Sequence, residues 1–237
     1  MKQLTETAQY FVAQAGLAVQ QKLAGTEVHQ QLLYDAAWCY QWVADIEIDA
    51  ARKKMVDEAL KKQAEEAAKQ PAGLKGVVNV RIPEFAAAVI PVQPSEKLAR
   101  DQYAALIAAR PESPLSINAR LELAEMQSRR DEVDPAIALL NDALTQEPAA
   151  DVEERLRMRL GVCLVAKKDF AAAFAQYSAV AANATSPIAP DARFRAGECQ
   201  IQLKAYPKAI ELLIPFRDQG PLQNIAGLSD RAMLRLG

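Results

Sequence analysis

Glycine is scarce, at 9 of 237 residues, and aromatic residues make up only 6%. All-β folds need turn glycines and aromatic or β-branched strand residues, so this composition argues against them. There is a single histidine, His29, which reads as an exposed polar residue near a helix start. A catalytic histidine needs a nucleophile and an orienting carboxylate, and no spacing in the chain points to either. The three cysteines, Cys39, Cys163 and Cys199, are odd in number and lack CxxC spacing. They read as buried thiols rather than a disulfide framework or a zinc site. There is no GxSxG, HExxH, Walker loop or GxGxxG. The expectation is a protein without catalytic residues, cofactor or metal.

A basic excess is also missing. Lys+Arg number 28 against 30 Asp+Glu, for a net charge of −2. Nucleic-acid binding draws most of its affinity from phosphate contacts, so none is expected. No apolar run reaches the ~18 residues that span a bilayer, which excludes membrane insertion by a helix. The N-terminal MKQLTETAQYFVAQAG is polar where a signal peptide has its apolar region. As it stands the protein is expected to be soluble and cytoplasmic; a leader upstream of it would make it periplasmic.

What the sequence has in abundance is alanine, about a fifth of all residues. Alanine has the highest helix propensity and glycine among the lowest, so the expected class is all-α. Residues 1–70 read as helix throughout, over Leu4–Leu23, Val28–Val43 and Ile46–Gln70, the last two open to being continuous. The tail of the third carries i,i+4 Lys61–Glu65 and Glu65–Lys69 pairs, as a solvated helix does. Residues 71–94 hold four prolines and two glycines. Val78, Val80 and Ile82 alternate there with polar residues, which predicts an extended linker lying against the protein.

Residues 95–237 repeat. A small residue recurs at Ala124, Gly161 and Gly197, and a second at Ala136, Ala173 and Ala209, both with spacings of 37 and 36. A large residue follows at Leu140, Tyr177 and Leu213, and prolines close the units at Pro148 and Pro221. The frame predicts a half repeat at 95–111, full repeats at 116–148, 153–187 and 189–221, and a truncated one at 229–237. Each would be a pair of antiparallel helices. The small residues permit close approach, Pro135 and Pro207 fall in first turns, and Asp134 and Asp169 serve as N-caps. Cys39, Cys163 and Cys199 share one slot two residues past the small position, with a weaker copy of the motif at 32–39.

These positions resemble the tetratricopeptide repeat (TPR) family, in its longer 36–37-residue form similar to repeats of bacterial cell-envelope proteins. The family's usual Trp is Arg120, Arg157 and Arg193 here, and its usual Tyr is Gln127, Leu164 and Gln200. The resemblance implies an α-solenoid and a non-catalytic scaffold that binds a protein or peptide partner on its concave face. It also implies an alternative: a fragment of a larger protein, either an exported envelope-assembly factor or a regulatory region attached to a catalytic domain. The groove would be lined by Asn118, Leu121, Glu125, Arg129, Arg155, Met158, Val162, Val165, Phe194, Glu198 and Gln202. Leu121 and Glu125 stand where the chaperone carboxylate clamp has Lys and Asn, so a reader of C-terminal carboxylates is not expected.

Two further patterns bear on binding. Arg120, Arg157 and Arg193 recur in one phase, and Arg159, Arg195 and Arg235 in another. Such ladders either cover apolar surface while meeting acids such as Glu153 and Glu154, or form a stripe that grips carboxylates. Tyr34, Trp38 and Trp42 lie on one helical face. They are either packed between helices or an aromatic anchor for a partner. Finally, the frame breaks off inside a first helix at 229–237. A further helix is expected beyond it, since an uncapped end would leave Leu212 or Leu213 and Phe216 open to self-association.

Overall fold

The computed structural model describes residues 1–68, 82–218 and 220–237, and the regular structure in them is entirely helical. The helices are α1 (Lys2–Gln20), α2 (Glu27–Ala68), α3 (Pro94–Ala109), α4 (Pro114–Arg129), α5 (Val133–Leu144), α6 (Ala150–Ala166), α7 (Phe170–Ala181), α8 (Ala189–Gln202), α9 (Tyr206–Leu213), α10 (Pro215–Asp218), α11 (Gly220–Gln223) and α12 (Ser229–Leu236). A short 3₁₀ turn covers Ala87–Val89. The expected alternation at Val78 and Val80, and Lys69, lie outside the described residues. None of the described helices is long and apolar enough to cross a membrane.

The protein forms two compact units. The first comprises residues 1–119 and 129–131; the second comprises 120–128 and 132–237. In the first, α2 is one helix of 42 residues, so the two segments expected over Val28–Gln70 are continuous. Gly25, with φ of +74°, sits in the turn before it. His29 is buried there, contrary to its polar expectation, and its Nδ1 accepts a hydrogen bond from Gly25 N–H at 3.2 Å. A ring nitrogen thus satisfies a turn donor that the left-handed glycine leaves outside the helical ladder.

Helix α2 packs on both α1 and α3. Its Glu47 reaches the start of α3, accepting from Ser95 N–H at 3.2 Å and from Ser95 Oγ at 2.9 Å. This satisfies donors that α3 cannot satisfy itself. A buried ion pair joins Glu96 to Arg130, whose guanidinium also donates to the carbonyls of Ala87 and Ile90. Those bonds hold residues 87–90 against the start of α3, with Ile90 buried.

In the second unit each helix from α5 to α9 packs on the next. The residues that recur in the sequence are the core. Ala136, Leu140, Ala173, Tyr177, Ala209 and Leu213 are all buried. Gly161 lies under the Tyr177 ring and Gly197 under Leu213, so each glycine leaves room for the large residue of the following helix. The turns repeat as well. Asp131, Lys168 and Lys204 are left-handed, with φ of 63°, 63° and 59°. The next residue's N–H reaches back to a helix carbonyl in each case: Glu132 to Gln127, Asp169 to Leu164, and Ala205 to Gln200, at 2.9 to 3.0 Å. This is the Schellman ending, which satisfies carbonyls that a helix C-terminus leaves open.

Two expectations about caps and ends are corrected. Asp169 caps α7 through Ala172 N–H, but Asp134 lies inside the first turn of α5 and pairs with Lys167 instead. Leu213 and Phe216 are not an open apolar end. Pro215 ends α9, since its ring cannot continue the ladder, and Leu228 and Ala232 pack with Leu213 and Phe216 so that both side chains are buried. The large apolar residues that α12 exposes are Met233 and Leu234.

Candidate functional site

Helices α4, α6 and α8 carry successive first-helix positions of the repeat, and two cavities of the second unit open along them. One, of about 310 Å³, is lined by Leu121, Glu125, Arg155, Met158, Arg159, Val162, Ile188, Asp191 and Arg195. The other, of about 440 Å³, is lined from α6, α7, α8 and the adjoining turn, including Val162, Val165, Lys168, Tyr177, Arg195, Glu198 and Gln202. Val162 and Arg195 line both.

Of the expected groove residues, Leu121, Glu125, Arg155, Met158, Val162, Val165, Glu198 and Gln202 therefore come together around these cavities. Asn118 and Arg129 belong to the first unit, where Arg129 pairs with Asp45 at 3.0 Å. Phe194 is corrected. It is fully buried, edge-on to Phe216 at 6.4 Å between ring centroids, with the Arg231 guanidinium 4.5 Å above its ring. It belongs to the core with Leu213, Leu228 and Ala232 and offers no ring to a partner.

The charged lining is an ordered ladder. Glu125 on α4 meets Arg159 on α6 at 2.6 Å. Glu198 on α8 meets Arg235 on α12 at 3.0 Å and Arg231 at 3.7 Å. Arg195 turns to its own helix, where its Nε donates to Asp191 at 2.8 Å, and it also bonds the Tyr177 hydroxyl. In the other Arg phase, Arg120 pairs with Asp142 at 2.5 Å, and Arg157 meets Glu153 at 2.7 Å. Glu154 is occupied by Asn183 and Ser186 instead.

The thiols are shielded. All three cysteines are buried and unpaired with one another. Burial, helped by the Glu198 charge, pushes Cys199 up from 9.0 to about 11. Burial also raises Cys163 and Cys39, the latter with a contribution from Asp35. Tyr177, a buried residue of the larger cavity's wall, is pushed up to about 12 by the same desolvation.

The aromatic residues of α2 divide. Tyr34 packs edge-on to Tyr103 of α3 at 5.8 Å, so it serves the helix contact. Trp38 and Trp42 pair with each other at 5.6 Å and stay 45% and 52% exposed. Sequence periodicity placed all three on one face, but it did not reveal that α3 covers only part of that face.

No family model matches the sequence, and no curated protein matches it. Among solved structures the protein is similar to the crystal structure of BtubC (BKLC) from P. vanneervenii, with 17% sequence identity and a TM-score of 0.45 over 99% of this protein and 91% of that one.

Proposed function

We propose that the protein is a non-catalytic interaction scaffold built from TPR-like helix pairs, and that a peptide segment of a partner protein binds along α4, α6 and α8. The observation that carries this reading is the pair of adjoining cavities on that face, walled by apolar side chains from successive first helices and rimmed by ion pairs. Pockets that take ligands combine an apolar lining with a few placed polar groups. The repeated small–large packing and the repeated Schellman turns support a TPR-like array as the scaffold, because each makes successive helix pairs alike.

Peptide display against the full-length protein tests this. Selected peptides should compete with one another for one site. Their binding should drop about tenfold or more in Val165→Asp, which puts a charge on the apolar wall of the larger cavity, and be unaffected by Trp38→Ala on α2. Binding lost in Trp38→Ala and retained in Val165→Asp would move the site to the first unit and end the proposal.

A further inference from the structure

The repeat register assigns each glutamate of the ladder a fixed slot. Glu125 and Glu198 occupy the position just after the small residue, and the guanidinium each one meets, Arg159 and Arg235, occupies one equivalent slot in the following first helix. Between them the same two slots hold Val162 and Arg195. The middle rung therefore has its arginine and lacks its carboxylate. Valine cannot accept a hydrogen bond, and Arg195 makes do with Asp191 from its own helix and the Tyr177 hydroxyl. A guanidinium carries five donors in a fixed fork suited to a carboxylate, and those two contacts do not use all of them.

We propose that this interrupted rung is a subsite for an acidic side chain of the partner segment, whose carboxylate takes the place that glutamate fills in the neighbouring rungs. The inference rests on the reading of this face as a peptide site. Two features select the occupant. First, Val162 and Arg195 line both cavities, so space continues to either side of the rung. An occupant that fills both presents its charge in mid-segment, between apolar flanks, rather than at a terminus. Second, the two cavities are lined by Arg155, Arg159, Lys168 and Arg195 against Glu125, Asp191 and Glu198, a positive excess in a protein whose net charge is −2. A carboxylate there completes the ladder, whereas a cation would face the guanidinium groups of Arg155 and Arg159 on α6 and of Arg195 on α8.

The test uses seven-residue peptides of serine, alanine and leucine with glutamate, glutamine or lysine at the centre. Both ends are blocked, so the central residue alone carries charge. Binding to the full-length protein is followed by amide and guanidinium NMR. The glutamate peptide should shift the Arg195 Nε–H resonance and the Val162 amide, and bind about tenfold or more tightly than the glutamine peptide. The lysine peptide should bind weakest. Val162→Glu supplies the missing rung from within. It should keep or raise the thermal midpoint and reduce the glutamate peptide to the affinity of the glutamine one, while Val162→Ala keeps the preference. Equal binding of the glutamate and glutamine peptides on this face would overturn the subsite and leave the peptide-site reading standing. A glutamate preference that survives Val162→Glu would also overturn it. Shifts confined to other faces, or none, would remove both.

Discussion

At Gly161 an added Cβ would sit 2.5 Å from the Tyr177 ring, and at Gly197 it would sit 2.7 Å from Leu213. Alanine normally gains about 1 kcal/mol over glycine in a helix. Here the buried ring has nowhere to go, and overpacking costs about 1–3 kcal/mol, so Gly161→Ala should lower the thermal midpoint and Gly161→Leu should lower it further. Circular dichroism checks this, and an unchanged midpoint in Gly161→Leu would contradict the packing. The thiols give a second residue-scale test. Cys163 and Cys199 are buried and their pKa values are raised, so the nucleophilic thiolate is rare at neutral pH. Native protein should resist alkylation until denaturant is added; fast labelling of either would refute that burial. The sign of the pH effect follows from the same groups. Cys199 and Tyr177 ionise more easily in the unfolded state than in the folded one, where they titrate near 11 and 12. Their contribution to stability is complete below pH 9 and is lost as the pH rises through those values. The urea midpoint should fall over that range, less steeply in Cys199→Ala.

Between helices, the turns are the most regular elements and also the most strained. Lys168 and Lys204 hold the left-handed conformation that glycine adopts without penalty. Lys168→Gly and Lys204→Gly should therefore each be neutral or stabilising by about 1 kcal/mol, measured as a shift in the urea midpoint; losses of similar size would mean the lysine side chains have a structural role. The Glu96–Arg130 pair is the opposite case. Arg130→Ala leaves the buried Glu96 carboxylate with Arg100, at 3.0 Å, and releases the carbonyls of Ala87 and Ile90. Breaking a buried pair outright costs about 3–5 kcal/mol, and Arg130→Ala should cost less than that, measured as a shift in the urea midpoint, because Arg100 stays against Glu96. The two cases differ in how visible they were from the sequence. Small and large residues at spacings of 37 and 36 showed where helices meet, because close packing constrains residue size at every repeat. The turn slot went unseen because Asp131, Lys168 and Lys204 share a backbone conformation but none is the glycine that marks such a turn in sequence. The pairing of Glu96 with Arg130 spans 34 positions and occurs once, so no periodicity marks it. The break at Pro215 and the burial of Phe216 were missed for the same reason: they depart from the repeat that revealed the rest.

For the molecule as a whole, the sequence revealed most of the candidate site, since eight of the expected lining residues meet around the two cavities. It misjudged Phe194, because the periodicity of α8 puts that residue near the lining and only the fold shows α12 covering it. The arginine ladder was legible as a phase, but its partners were not. Those partners depend on which helix follows which, and the break at Val162 becomes visible only when the rungs on either side are seen to be closed. The central claim is that a partner segment lies along α4, α6 and α8. Amide chemical-shift mapping of the full-length protein with a display-selected peptide tests it most directly. The account predicts shifts concentrated at Glu125, Met158, Val162, Arg195 and Glu198, with α2 and the outer faces of α5 and α9 silent. Shifts clustered instead around Trp38 and Trp42, or spread over the outer helices, would contradict it.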